Sequence, residues 1–196
     1  MIALRFTEWM DGFAALGEQD CERGYAAGKR TGSRLAIRLT LSTADLDAFV
    51  HSKDRVLEAD GEISYDPLGG THRAQGTVKQ LVDVEGDPRH KAMPYRLTFS
   101  DDGRTLEVSA LKRVDPPLLD AWKDTTTLEV LIREAQDRVI GAGIVHIRFP
   151  LFLRQFVTYR CAGGTRLDRA LTLPRFYASF LAKLWEVYGF RLRDRQ

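Results

Sequence analysis

Arg34-Leu35-Ala36-Ile37-Arg38-Leu39-Thr40-Leu41 is the stretch that decides the fold class. Leu35, Ile37, Leu39 and Leu41 fall on one side of an extended chain, and Arg34, Ala36, Arg38 and Thr40 on the other. Successive side chains of a strand point to opposite faces, so this alternation places one face in a core and leaves the other to water.

Toward the N-terminus, Leu4-Arg5-Phe6-Thr7-Glu8-Trp9-Met10 alternates at about period two and reads as another strand. Gly12, Gly17, Gly24, Gly28 and Gly32 punctuate the segment between the two strands, which therefore reads as loop. Toward the C-terminus, Ser42 or Thr43 is a capping residue, Asp45 and Asp47 suit the positive end of a helix, and Leu46, Phe49 and Val50 recur at helical spacing. The expectation is a short helix lying across the sheet.

The strand-and-turn rhythm then resumes. Arg55 to Tyr65 and Gln75 to Val84 read as strands, with breaks at Asp66-Pro67-Leu68-Gly69-Gly70 and at Glu85-Gly86-Asp87-Pro88. Tyr95, Leu97 and Phe99 share a face. They lead through Asp101-Asp102-Gly103-Arg104 to Leu106, Val108 and Ala110, the clearest hairpin in the chain. Leu128 to Arg133 and Gly141 to Phe149 supply further strands, with Pro116-Pro117 and the stretch from Leu118 to Asp124 forming the longest connection. Too little helix separates these strands for parallel crossovers, so neighbours pair antiparallel.

After Pro150 the period changes. Leu151, Phe152, Gln155, Phe156 and Tyr159 fit a helical face, with strand as the alternative given the β-branched and aromatic content. Thr172 reads as a cap with Pro174 in the first turn of a last helix. Its stripe of Phe176, Phe180, Leu184, Val187 and Tyr188 ends before Gly189. The expected architecture is mostly β: an antiparallel seven- to eight-stranded barrel or sandwich, a short helix after the second strand, and C-terminal helices. It forms a single domain over 1–196, with a β-rich part at 1–149, a helical part at 150–189 and a basic tail at 190–196.

Composition narrows the class of function. At 196 residues, 44% hydrophobic and 29% charged, the chain has the make-up of an ordinary folded domain, and a net charge of +2 gives no argument for nucleic acid. The arginines from Arg160 onward read as a solvated face and a tail. Cys21 and Cys161 alone build neither a disulfide framework nor a four-ligand zinc site, which points to a reduced, cytoplasmic protein. Neither a signal-peptide pattern nor a run of about 18 apolar residues occurs, so no transmembrane segment is expected.

The motifs of common chemistries are missing from the sequence. His51, His72, His90 and His146 never stand at metal-ligand spacing, and no Gly-x-Ser-x-Gly elbow occurs. Gly141-Ala142-Gly143 lacks the third glycine of a dinucleotide loop. No metal, cofactor or catalytic residue is assigned. Four residues are candidate ligand contacts. Gln80 falls in phase with Val78, Val82 and Val84, where an inward amide needs a partner; Tyr95 lies on the inward face of the hairpin. Trp122 sits in the longest connection, where it could cover a barrel mouth; His146 shares a face with Ile144 in an apolar strand.

Several short stretches carry a resemblance. They are Phe6-Thr7-Glu8-Trp9-Met10-Asp11-Gly12-Phe13, Gly28 with Arg34-Leu35, Leu68-Gly69-Gly70, Tyr95-Arg96-Leu97, Trp122-Lys123-Asp124-Thr125-Thr126-Thr127-Leu128 and Phe152-Leu153-Arg154-Gln155. Together they are similar to a region of long bacterial proteins that accompanies a glucose-methanol-choline oxidoreductase of the cholesterol-oxidase kind, sometimes with an α/β-hydrolase domain. The resemblance implies an oxidoreductase companion and a place in lipid or steroid metabolism. It carries over no catalytic residue, and the flavin-binding glycine motif of the oxidoreductase is missing here.

Three readings follow. The first is a binding or accessory domain for an apolar small molecule, lipid- or sterol-like, held by a β-barrel. The second is an interaction module that docks on an oxidoreductase or self-associates through aromatics of its C-terminal half. The third is an enzyme acting on a steroid-like substrate with His146 as base. Binding ranks above catalysis because no acid, base or nucleophile is assembled in the sequence. The oligomeric state is left open.

Overall fold

The computed structural model describes residues 1–84, 87–114, 125–134 and 137–188, with the backbone alone at 88, 89 and 188. Eight antiparallel strands close into a barrel. These are β1 (Ile2–Leu16), β2 (Arg34–Thr43), β3 (Val56–Tyr65), β4 (Thr71–Lys79), β6 (Asp87–Asp101), β7 (Arg104–Val114), β8 (Thr127–Glu134) and β9 (Arg138–His146). Each pairs with the next, and β1 pairs with β9 to close the circle, with Asp11 opposite His146 and Leu16 opposite Gly141. Two short strands lie off the ring: β5 (Val82–Val84) on β6, and β10 (Arg160–Gly163) on β1.

The alternation around Leu35 behaves as read. Leu35, Ile37, Leu39 and Leu41 are all buried, and opposite them on β1 stand Gly12, Met10, Glu8 and Phe6 in turn. The hairpin joining β6 to β7 turns through Asp102 (φ 46°) and Gly103 (φ 78°). Two left-handed residues in a two-residue loop make the turn whose twist matches the flanking strands.

β1 has two partners along one edge. Ile2 to Arg5 pair with β10, and Asp11 to Leu16 pair with β9. Between them, residues 6–10 have no strand on that side among the described pairings. The gap is taken by α3 (Phe149–Phe156): the Thr7 N–H donates to Thr158 Oγ1 (2.9 Å), and the Arg154 guanidinium stacks over Trp9, 4.5 Å from its centroid. Arg148, just before α3, pairs with Asp11.

Several expectations are corrected. The glycine-punctuated segment is not loop. β1 runs on to Leu16, and Cys21–Thr31 forms α1, capped by Asp20, whose carboxylate accepts from the Arg23 N–H, and ended by left-handed Gly32. Gly24 and Gly28 lie one helical turn apart against the barrel. A Cβ on Gly24 would stand 2.0 Å from the Ala142 carbonyl oxygen, and one on Gly28 would stand 2.4 Å from that of Ala14. These glycines serve close packing of helix on sheet and not turning.

The expected strand from Gln75 to Val84 is two strands, broken where Leu81 takes φ 52°. The short helix α2 (Leu46–His51) stands where expected, but Asp45 caps it, accepting from the Asp47 and Ala48 N–H groups, in place of Ser42 or Thr43. The last helix, α4 (Arg166–Tyr188), starts a turn and a half before Thr172. Thr165 and Asp168 cap it reciprocally, each side chain accepting from the other's backbone N–H. Thr172 turns its hydroxyl back to the Asp168 carbonyl, and Pro174 lies inside the helix. The expected long connection at 115–124 and the basic tail fall outside the described residues. No described helix is long and apolar enough to cross a membrane.

Candidate functional site

α3 and α4 close one end of the barrel. Phe6 stacks on Tyr159 (4.7 Å between centroids) and meets Phe176 of α4 at 5.7 Å, while Phe156 of α3 stacks on Tyr177 of α4. Phe176 also packs on Phe49 of α2. Two polar ties fix α4 from below. The Arg55 guanidinium donates to Ser179 Oγ (2.8 Å), and the wholly buried Lys91 ammonium pairs with Glu186 (2.7 Å) and Asp83. Burial opposes charge on Glu186, but the hydrogen bonds and charges of Lys91 and Lys183 outweigh it and hold that carboxyl below its usual value.

Between helices and barrel lies a cavity of about 470 Å³. Phe6, Met93, Ile147, Phe152, Phe176 and Phe180 give it an apolar wall. A larger trough of about 570 Å³ on the outer wall runs between the exposed charges of Arg38, Glu62 and Arg148 and offers no such enclosure.

Gln80, Thr126 and Gln155 are among its polar lining, and its two charged lining residues meet in one place, which forms its floor. Glu8 of β1 and Lys112 of β7 both line it and both are buried. Lys112 Nζ stands 3.7 Å from Glu8 Oε2 and 5.0 Å from the centre of the Tyr95 ring. The Tyr95 hydroxyl donates to the same Glu8 oxygen (2.9 Å). Burial lowers the Lys112 pKa, with Glu8 pulling the other way; burial and the adjacent Glu8 charge hold the Tyr95 phenol protonated far above its ordinary range. The floor thus carries one negative and one positive group that neutralise each other, and a phenol oriented by the carboxylate. It can align the polar end of an otherwise apolar molecule without adding net charge.

The four sequence candidates separate. Gln80 lines the cavity, and its Oε1 accepts from Arg55 (3.4 Å), so a protein group takes the amide oxygen. Tyr95 lies beneath the floor through Glu8. His146 stands on the outer face of β9, edge-on to Tyr25 of α1 and 3.2 Å from Thr127 Oγ1, away from the cavity. Burial lowers its pKa, opposed by Asp11. Trp122 lies outside the described residues. Among the described residues, no group of His, Cys, Asp and Glu is arranged to hold a metal.

No family model, no curated protein and no solved structure matches this chain.

Sequence reasoning passed over Glu8 and Lys112, although the signal was there. Glu8 stands in phase with Leu4, Phe6 and Met10, and Lys112 in phase with Leu106, Val108 and Ala110. Each is one charge on an otherwise apolar face, and the two signs are opposite. Arg55 offered no comparable signal, because its φ of 43° takes it out of any strand alternation.

Proposed function

We propose that this domain binds an apolar small molecule, lipid- or sterol-like, in the cavity beneath α3 and α4, with the polar end of the guest turned to Glu8 and Lys112 and with Tyr95 orienting Glu8 from behind. The observation that carries the reading is the pairing of an aromatic and aliphatic wall with one neutralised polar floor. Ligand pockets are mostly apolar, with a small number of placed polar groups that fix orientation. The balanced charge of the floor favours an uncharged polar end, such as a hydroxyl or ketone, over a carboxylate. A second anion beside Glu8 would be buried without a counter-charge. The resemblance to a region accompanying cholesterol-oxidase-like oxidoreductases supports the same class of guest, and an oxidoreductase partner belongs to this proposal.

The test is titration of delipidated protein with a fluorescent sterol and with a fluorescent fatty acid, alongside native mass spectrometry of freshly purified protein. Saturable sterol binding that Met93→Trp abolishes by filling the cavity is the expected result. No saturable binding of either probe, or binding indifferent to Met93→Trp in a variant that still folds, overturns the reading.

A further inference from the structure

α4 is apolar on two sides, and only one of them faces the barrel. Phe176 and Val187 are buried and Phe180 and Leu184 line the cavity. The opposite side carries Leu167, Leu171, Pro174, Ala178, Leu181 and Trp185 at alternating spacings of four and three, so that they form one stripe along the helix. All six are exposed, Leu167 at 68%, Leu181 at 60% and Trp185 at 65%. α3 repeats the pattern on a smaller scale, with Phe149, Leu153, Phe156 and Val157 exposed. Large apolar side chains clustered on two adjacent helices are far from the scattered single exposures of an ordinary surface.

The charge around the stripe names what fits it. Along 149–188, Arg154, Arg160, Arg166, Arg169 and Arg175 are all exposed, Arg175 beside Asp47 of α2 and Arg154 over Trp9, whereas the acids of that stretch are Asp168 and Glu186. Glu186 is taken up by Lys91 and Lys183 and Asp168 by the cap of α4. An apolar face on a helical cover with an excess of arginines matches a layer that is oily below and anionic at its surface. The face also continues into the cavity, because Phe156 and Leu181 are at once exposed and part of its lining.

We infer that the outer face of α3 and α4 docks on an anionic phospholipid surface, with Leu167 and Trp185 entering the acyl boundary and arginines of the helical cover meeting the headgroups. The inference stands beside the proposed guest and does not require it.

Co-sedimentation of the full chain with phosphatidylcholine vesicles, with and without phosphatidylglycerol as about one lipid in three, tests it. Light scattering of the free protein accompanies it. Binding is expected to anionic vesicles alone and to fall away in about 0.5 M salt, where screening is short-ranged. The doubly substituted Leu167→Asp/Trp185→Asp should lose it, and Arg166→Glu/Arg169→Glu should weaken it by about tenfold or more. All these positions are exposed, and circular dichroism and sterol-probe titration check that the variants keep their fold and cavity. Failure to sediment with either vesicle overturns the inference, as does binding that the variants leave unchanged. So does a dimer that Leu167→Asp/Trp185→Asp dissociates, which would assign the face to a second copy. Loss of probe binding with vesicle binding intact would count against the guest and leave the docking face standing.

Discussion

Glu8 and Lys112 show how costly a single buried charge becomes when its counterpart is taken away. The pair sits among apolar side chains, where two charges repay their desolvation only through each other. Glu8→Leu alone, or Lys112→Met alone, should therefore destabilise the fold by about 3–5 kcal/mol by stranding the opposite charge, while the two combined should cost much less. Urea denaturation of the two single variants and the double variant measures this, and additive losses would show that the charges do not sense each other. At this scale the sequence was half legible. Gln80 was readable as an inward amide, and the same phase argument reaches Glu8 and Lys112 once two strands are compared. His146 was misleading as a pocket contact because an apolar strand buried on both faces, inside the barrel and under α1, gives no clue to which face holds the ligand.

Among the elements, α1 decides between two opposed effects of glycine. Replacing a helical glycine by alanine ordinarily gains about 1 kcal/mol of helix propensity. At Gly24 the added methyl would meet the Ala142 backbone oxygen at 2.0 Å, and backbone is the least yielding neighbour. Gly24→Ala should therefore be net destabilising by about 1–3 kcal/mol, the usual range for overpacking, seen as a lower thermal midpoint. An unchanged or raised midpoint would mean that α1 does not press on the barrel this closely. The same contact explains why the segment reads as loop: Gly17 and Gly32 do take left-handed turns, but Gly24 and Gly28 look like turns only until a second surface is known to need them small. Strands were legible because their two-residue period survives without any tertiary knowledge. The start of α4 was not, because Thr172 and Pro174 imitate a helix beginning that Thr165 and Asp168 actually make.

On the scale of the whole molecule, the barrel is a closed ring of ladders, whereas its helical cover is fastened by few polar ties, of which Lys91 to Glu186 is one. The Glu186 carboxyl is held below its usual value, so the folded state favours its ionised form. The stabilisation is complete above the unfolded value of about 4.3 and is lost as pH falls through the lower folded value. Amide exchange along α4 should accordingly quicken below about pH 4 while the strands stay protected, and Glu186→Gln should already show loosened α4 at neutral pH. Uniform quickening of strands and helix together would mean that cover and barrel open as one. The gap along β1 between its two strand partners bears on the same question. Since α3, and no strand among the described residues, fills the opening at residues 6–10, swinging that helix outward would make a doorway in the side of the barrel at the cost of side-chain contacts and the Thr7–Thr158 bond. The strand ladders would keep every rung while a passenger entered or left.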